Sequence, residues 1–495
     1  MSNNVFSILH ISDLHKDESC NYNQLLDSLK TDKDKYQALG IAPVKYIVVS
    51  GDLVHGSNKD DVEEACDEIS QQYTEVAVFL QDLVRTFLDG EIRRLIIVPG
   101  NHDMNRAISK FAMKPIDATQ VESVKRSYWE SLGRKQIYRF DWKTLSFFEI
   151  KVKVDEDDDA YSQRFVSFES FYNAFYDSIG RKFPAKPENE AYTLEFPEDN
   201  IAFACFNSCY QLDHLNVMGA IDNDSIHSIY NSLRDYYSKG YLVIGVWHHH
   251  LYGPPYRDDF MNKDFTEHLA QNHIPVGLYG HQHKSEVVEA LSDLSDDMDL
   301  DKVMLISAGT LFGSKKEMLP GVKRQYNVIN VAVTNGKAHL DVFFREDKKN
   351  DSAYPIWGEK HVPNDKKCIG FDVQLNHLPD DELIRIIDDE TRRSNNFKRG
   401  IVRLQRLKLE KSKGMIDGYL QKLNVTDDAE FLVENIRNPQ TEIAYAYLLQ
   451  ALIYLGRKDE IKKWLDMGLF KNSKSPLVKA TIADAIKKTT KKPWE

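Results

Sequence analysis

Cysteine is scarce: the chain of 495 residues has five, at Cys20, Cys66, Cys205, Cys209 and Cys368. An odd, scattered set suggests reduced thiols, as in a cytosol, rather than a disulfide framework. Cys205 and Cys209 have no second Cys or His pair nearby to complete a zinc ribbon, so both read as structural. Long hydrophobic runs are missing too. No apolar stretch approaches the ~20 residues that a membrane helix needs. The opening MSNNVFSILHISD has neither the charged n-region nor the cleavable h-region of a signal peptide, so a cytoplasmic location is expected. With 42% hydrophobic and 28% charged residues, the composition is that of an ordinary soluble globular protein, long enough for two domains.

Positive charge is short overall, with a net charge of −12. The deficit is uneven. Residues 391–495 hold 22 Lys/Arg against 12 Asp/Glu, a surplus of ten, so the rest of the chain carries −22. Acidic runs at Asp155-Glu156-Asp157-Asp158-Asp159 and within 293–301 read as solvated loops. The basic C-terminal stretch could engage an acidic protein or nucleic acid, or be a helical domain with Lys on its wet face.

Residues 1–103 alternate apolar strands with helical patterns. In 60–88 the apolar positions Val62, Ala65, Ile69, Tyr73, Val76, Phe79, Leu80, Leu83 and Phe87 recur near a 3.6 period. An aromatic-rich insertion spans 104–192. Its Phe168, Phe171, Tyr172, Phe175 and Tyr176 fall at helix spacing, and most of its rings are expected to form the core of an inserted subdomain. Strands resume at 193–196 and 201–207, a helix is expected over 224–237, and further strands at 303–307, 328–333 and 339–344. This assigns a catalytic domain to 1–345. A Pro- and charge-bearing connector follows at 346–367, then an α-helical basic domain at 368–495. Within the latter, two helices joined by a turn at Gly456 to Asp459 resemble one unit of a helical repeat, too little for a solenoid.

Five short motifs carry the chemistry. They are Asp13-Leu14-His15, Gly51-Asp52, Gly100-Asn101-His102-Asp103, His248-His249-His250 and Gly280-His281-Gln282-His283. Each follows an apolar run, at 6–11, 46–49, 95–98, 242–247 and 274–278, where a buried strand would end. Asp13 and His15, and again His281 and His283, are two apart and so share a direction at a strand end. Two carboxylates, an amide oxygen and four imidazoles (one from the triple-His run) make a mixed N/O set. It suits Mn, Fe or Zn better than Ca or a thiolate-bound zinc. The set is too large for one four-coordinate ion. Two ions sharing a carboxylate fit it, and paired ions ~3.5–4 Å apart are the usual device for phosphoester hydrolysis.

This order of motifs resembles the calcineurin-like metallophosphoesterase family, over residues 5–345. The resemblance implies a four-layer α/β/β/α sandwich with a two-metal centre at the strand ends. It implies that Asp13, His15 and His283 hold one metal, that Asn101, His248 and His281 hold the other, and that Asp52 bridges them. His248 is preferred in its run because it comes first after the strand, with His249 the alternative. It further implies that His102 is the acid at the leaving group and Asp103 its orienting partner. The chemistry agrees: two cations make hydroxide available near neutral pH, an imidazole titrating at about pH 6–7 can supply a proton, and a neighbouring carboxylate favours its protonated form. Asn207-Ser208 could help shape the cleft, Ser307 to Thr310 reads as scaffold, and Arg324 or Tyr326 could touch substrate.

Family resemblance gives a reaction type rather than a substrate. The first expectation is a phosphodiesterase or phosphatase. The alternative is a nuclease aided by the basic C-terminal region, against which stands the acidity of the catalytic part. A vestigial, protein-binding scaffold is disfavoured by the complete ligand set.

Overall fold

In the computed structural model the described residues are 5–15, 21–130, 137–150, 160–184, 191–221, 223–251, 259–261, 264–291, 302–312, 318, 320–334, 336–349, 354–362, 366–375, 380–406 and 410–490. Cys20 and the acidic runs at 155–159 and 293–301 lie outside them. The chain divides into two compact units, Met1–Asn376 and His377–Glu495.

The strands of the first unit are β1 (Val5–Ile11), β2 (Val44–Ser50), β3 (Leu95–Val98), β4 (Met113–Pro115), β5 (Tyr138–Asp141), β6 (Ser146–Ile150), β7 (Ala191–Phe196), β8 (Ile201–Phe206), β9 (Leu242–Val246), β10 (Val276–Tyr279), β11 (Glu286–Leu291), β12 (Lys302–Ser307), β13 (Gln325–Thr334), β14 (Lys337–Asp347), β15 (Trp357–Glu359) and β16 (Ile369–Gln374). One sheet runs β15-β14-β13-β1-β2-β3, with β16 also on β14, and a second runs β11-β12-β10-β9-β8-β7. The strands that precede the motifs run parallel to one another, β1, β2 and β3 in the first sheet and β9 and β10 in the second, where β8 and β12 flank them in the same direction; β1 is antiparallel to β13 on its other side.

These strands are mostly apolar because both their faces are covered, with Ser7, His10 and Ser50 among the few buried polar residues. Phe6 and Ile8, Tyr46 and Val48, and Ile96 and Val98 meet Ile244, Val246 and Leu278 between the sheets. The alternate residues Leu9, Ile11, Ile47, Val49, Leu95 and Ile97 face the helices Tyr22–Lys33 and Val62–Phe87. On the far side, Val243, Trp247 and Tyr279 pack against the helices Asn223–Ser238 and Asp264–Gln271 through Leu233 and Phe265. The result is the four-layer α/β/β/α sandwich. Every motif sits at the C-terminal end of a parallel strand, where such sheets open a crevice.

The insertion does not keep its rings to itself. Phe168, Phe171, Tyr172 and Phe175 of the helix Val166–Phe175 join the main core, with Phe171 stacked on Tyr73 at 4.7 Å. Among the described residues, the small sheet β4-β6-β5 stands apart from the two large ones. Its Arg139 is tied by a buried ion pair of 2.6 Å to Asp213, in the loop after β8.

The domain boundaries expected from composition require correction. The described residues of 346–367 belong to the first sheet and its edge, not to a connector. Asp347 still belongs to β14, β15 pairs with it, and β16 runs along it from Ile369. Trp357 is buried and donates from its indole N–H to Ser28 Oγ at 2.9 Å. An edge strand bearing charge and Pro reads like a linker, since one of its sides faces solvent. Arg324 and Tyr326 also serve the core. Arg324 pairs with Asp347 at 2.6 Å, and the Tyr326 hydroxyl donates to the buried carboxylate of Asp32. Arg345 reaches the same carboxylate through two bonds of 2.6 and 2.8 Å. Burial opposes the charge on Asp32, but Arg345 outweighs it and holds the carboxyl below its usual range.

The second unit is helical. Its central helix Glu442–Tyr454 is buried through Ala444, Tyr445, Ala446, Leu448, Leu449, Ala451 and Leu452, so it is apolar nearly all round. The Thr441 side chain caps its start at Ala444 N, and Gly456, at φ +70°, turns the chain into Lys458–Asp466. No residue of the five motifs lies in this unit. No helix among the described residues is long and apolar enough to cross a membrane.

Two expectations follow. Asp32→Ala strands a buried guanidinium and should cost about 3–5 kcal/mol in urea-induced unfolding; a loss below 1 kcal/mol would show that water satisfies Arg345. A chain ending at Asn376 should unfold cooperatively on heating, whereas one ending at 345 loses β15 and β16 and should have a lower Tm or aggregate. Equal Tm values would show that these strands are dispensable.

Candidate metal centre

The motif loops are bent where L-residues seldom go. Asp13, His15, Asp52, His281 and His283 all have positive φ, between 42° and 76°. Such conformations cost about 1–3 kcal/mol each and persist only where the surroundings impose them. Three glycines let the loops close on one another. A Cβ on Gly51 would lie 2.5 Å from His248 Nδ1, one on Gly100 2.3 Å from Asp52 N, and one on Gly280 1.9 Å from Ser12 Oγ.

Two groups of side-chain atoms converge. In the first, His15 Nε2 and His283 Nε2 are 2.9 Å apart, and Asp13 Oδ1 is 3.7 and 3.4 Å from them. In the second, Asn101 Oδ1 is 2.9 Å from both His248 Nε2 and His281 Nδ1, which are 3.3 Å from each other. Asp52 Oδ2 lies between, 3.9 Å from His15 Nε2 and 3.2 Å from His248 Nε2. Ligands at right angles around an ion ~2.1 Å away are ~3.0 Å apart, and at the tetrahedral angle ~3.4 Å. The separations of 2.9 to 3.4 Å suit such ions, and the two carboxylate oxygens stand somewhat wider of His15 Nε2, at 3.7 and 3.9 Å.

The lone pairs point the same way. His248 Nδ1 donates to the carbonyl of Ser50 at 2.8 Å. A carbonyl only accepts, so the proton sits on Nδ1 and the lone pair of Nε2 faces two oxygens. Each carboxylate has one oxygen pinned by backbone: Asp13 Oδ2 accepts from His281 N at 3.1 Å, and Asp52 Oδ1 from His102 N at 2.8 Å. The other oxygens are left for the centre, and Asp13 Oδ1 is buried with no donor in hydrogen-bond geometry. Electron-rich atoms this close are stable only around a cation, whether a proton or a metal ion. Without metal, the His248 ring takes that part beside Asp52. Burial pushes Asp13 up, but His15 and His283 outweigh it and hold the carboxyl well below its usual range. Burial of Asp52 is likewise outweighed by His248 and His102. Burial lowers His248, yet the Asp52 charge overcomes it and raises the ring to about 9.

Beyond the ligand candidates, several expectations change. The second group takes His248 and not His249, whose Nδ1 is 2.9 Å from Ser208 Oγ and whose basicity burial pushes well down. His250 turns away to Glu286 at 2.9 Å. Asp103 does not orient His102. Its carboxylate accepts from Gly100 N at 2.8 Å, from the Tyr73 hydroxyl at 2.7 Å and from Leu53 N at 3.3 Å, and so ties the loops after β2 and β3. Burial, with Asp52 nearby, raises it to about 7. The partner of His102 is a backbone group, the carbonyl of His55, at 2.8 Å from Nδ1. Burial lowers this ring to about 4, against the pull of Asp52.

Ser208 Oγ accepts the N–H groups of His248 and His249 at 3.2 Å and so braces the ligand loop, while Asn207 Oδ1 accepts from Cys209 N at 2.9 Å within its own loop. Thr310 Oγ1 donates to Asp13 O at 2.8 Å, a scaffold contact. Asp259 was not foreseen. Its Oδ2 lies 3.3 Å from His281 Nε2, on the side of the ring away from Asn101, as carboxylates behind metal-bound imidazoles do. Nothing in its local sequence marks it.

A sandwich whose strand ends gather two such groups around a shared aspartate defines a class of metal-dependent phosphoester hydrolases. The sequence profile of the calcineurin-like phosphoesterases matches residues 6–285, and the chain belongs to that family. Among solved structures, TT1561 of Thermus thermophilus is 11% identical, covers 66% of this chain and 94% of its own, and gives a TM-score of 0.29. Vps29 of Chaetomium thermophilum is 10% identical, covers 75% and 98%, and gives 0.25. A single-site variant of Entamoeba histolytica Vps29 is 11% identical, covers 75% and 99%, and gives 0.23. No curated protein matches the sequence.

Gly100→Ala tests the packing of these loops. Its Cβ must displace the Asp52 backbone, and metal affinity should fall about 10–100-fold, as for other losses behind the ligands. Metal content after dialysis against graded chelator measures it, with circular dichroism as the control for folding. Wild-type affinity would mean that the loops yield.

Proposed function

We propose that the chain hydrolyses phosphoesters at a two-ion centre. Asp13, His15 and His283 hold one divalent ion, Asn101, His248 and His281 the other, and Asp52 serves both. The observation that carries this reading is the pair of three-atom groups with Asp52 Oδ2 between them. The N/O donor set favours Mn, Fe or Zn. When bound, such ions supply Lewis acidity to the phosphate oxygens and hydroxide near neutral pH.

The chain's own residues do the rest. Backbone N–H groups fix one oxygen of each carboxylate, so the other cannot rotate away. His102 stands beside the first group, its ring 4.7 Å from that of His15. With Nδ1 held by a carbonyl, Nε2 is the atom that carries a proton to the leaving oxygen. The resting ring is neutral, and the negative charge of an arriving phosphate raises its proton affinity. Asp103 keeps the two loops in register and stays out of the proton path.

Asp52→Ala should leave the fold intact, lower the content of both ions and cut turnover about 10³-fold or more, matching several kcal/mol of lost charge stabilisation. The assay is a panel with added Mn²⁺: p-nitrophenyl phosphate, bis-p-nitrophenyl phosphate, cyclic nucleotides, and single- and double-stranded DNA and RNA. Full metal content and activity in the variant would falsify the assignment, and the panel sorts phosphatase, phosphodiesterase and nuclease.

A further inference from the structure

We propose that Gln72 is a positioning residue for His102, acting through the backbone of residues 55 and 56; this rests on His102 as the leaving-group acid. The Gln72 amide grips that loop at two points. Its Oε1 accepts from His55 N at 2.9 Å, and its Nε2 donates to Gly56 O at 2.9 Å. A donor at one point and an acceptor at the other settle which way the amide faces. The carbonyl between these points, that of His55, receives His102 Nδ1 at 2.8 Å.

The clamp has little freedom. Gln72 stands on the helix Val62–Phe87, anchored through the buried Ile69, Tyr73 and Val76. Gly56 adopts φ +82°, and a Cβ there would lie 2.9 Å from the His102 carbonyl oxygen. Only glycine lets the loop lie this close to the His102 backbone. The next residue along the helix, Tyr73, donates its hydroxyl to Asp103 Oδ1 at 2.7 Å. Neighbouring side chains on one rigid helix therefore set both loops: Gln72 the carbonyl that aims the ring, and Tyr73 the turn that carries it. Without Gln72 the His55 carbonyl can drift, and the His102 ring turns with it. A misplacement of about 1 Å at such a group costs about 10²-fold in rate.

The test compares full-length Gln72→Met, of similar length without either hydrogen bond, with Gln72→Glu, which keeps the acceptor and loses the donor. Each is assayed on an alkyl phosphoester and its p-nitrophenyl counterpart, alone and with His102→Ala, alongside metal content. The expected result is about a 10²-fold loss in kcat on the alkyl ester and under about 3-fold on the nitrophenyl ester, whose leaving group needs little proton assistance. Both ions should be retained, Gln72→Glu should fall between, and Gln72→Met should add nothing to His102→Ala. Equal losses on both esters, or a further loss in the His102→Ala background, would overturn the role of Gln72 alone. If His102→Ala itself slows both esters equally, the acid role of His102 fails and the proposal fails with it. Should Gln72→Met not fold, the Gln72→Glu comparison decides by the same ratio.

Discussion

Two carboxylates are buried where the sheets meet at their C-terminal ends, and the architecture of the site answers to that fact. Asp13 is 0% exposed and Asp52 1%. An ionised carboxyl so far from water is costly unless a cation and hydrogen bonds offset it. The chain supplies hydrogen bonds from backbone N–H groups and arranges imidazoles to face the oxygens that remain. Left-handed backbone at five of these residues and glycines with no room for a methyl group are what it takes to bring the loops together. The strain is tolerated because strands buried on both faces fix where each loop begins.

Much of this was legible in the residues. The ligand candidates come in clusters of two to four, each after an apolar run, so a local reading finds them and the strands that carry them. Tyr73 was visible only as an apolar position of a helix; nothing in the period says that its hydroxyl reaches Asp103. Asp259, Gln72 and the Ser50 carbonyl act across gaps in the chain that no spacing rule covers. The misreading of Asp103 has the same origin. Adjacency to His102 suggests a partnership, but neighbouring side chains on a tight turn diverge, and the contact went to a backbone carbonyl from another loop.

The boundary at residue 345 failed for a different reason. Composition detects exposure, and an edge strand shares with a linker a face turned to water. The side facing inward tells otherwise: Trp357 is buried beneath Ser28, and Lys360 Nζ reaches Ser285 O at 2.6 Å, just after the last ligand loop. The part of the chain that holds the site thus extends well past the last motif that defines it. The insertion teaches the converse, since a segment that breaks the motif order still contributes Phe168 and Phe171 to the common core.

The central strand of the first sheet has its two neighbours at very different distances along the chain. β1 pairs on one side with β2 and on the other with β13. On a ribosome adding ~5–20 residues per second, the ~300 residues between β1 and β13 take about 15–60 s to emerge. Throughout that time the β1 edge of the nascent sheet shows its backbone N–H and C=O groups to whatever is near, and the loop that follows it carries Asp13 and His15. The strand that closes the sheet beside the first ligand candidates is translated after the last of them, and a pairing of such long sequence separation is intrinsically slow to form.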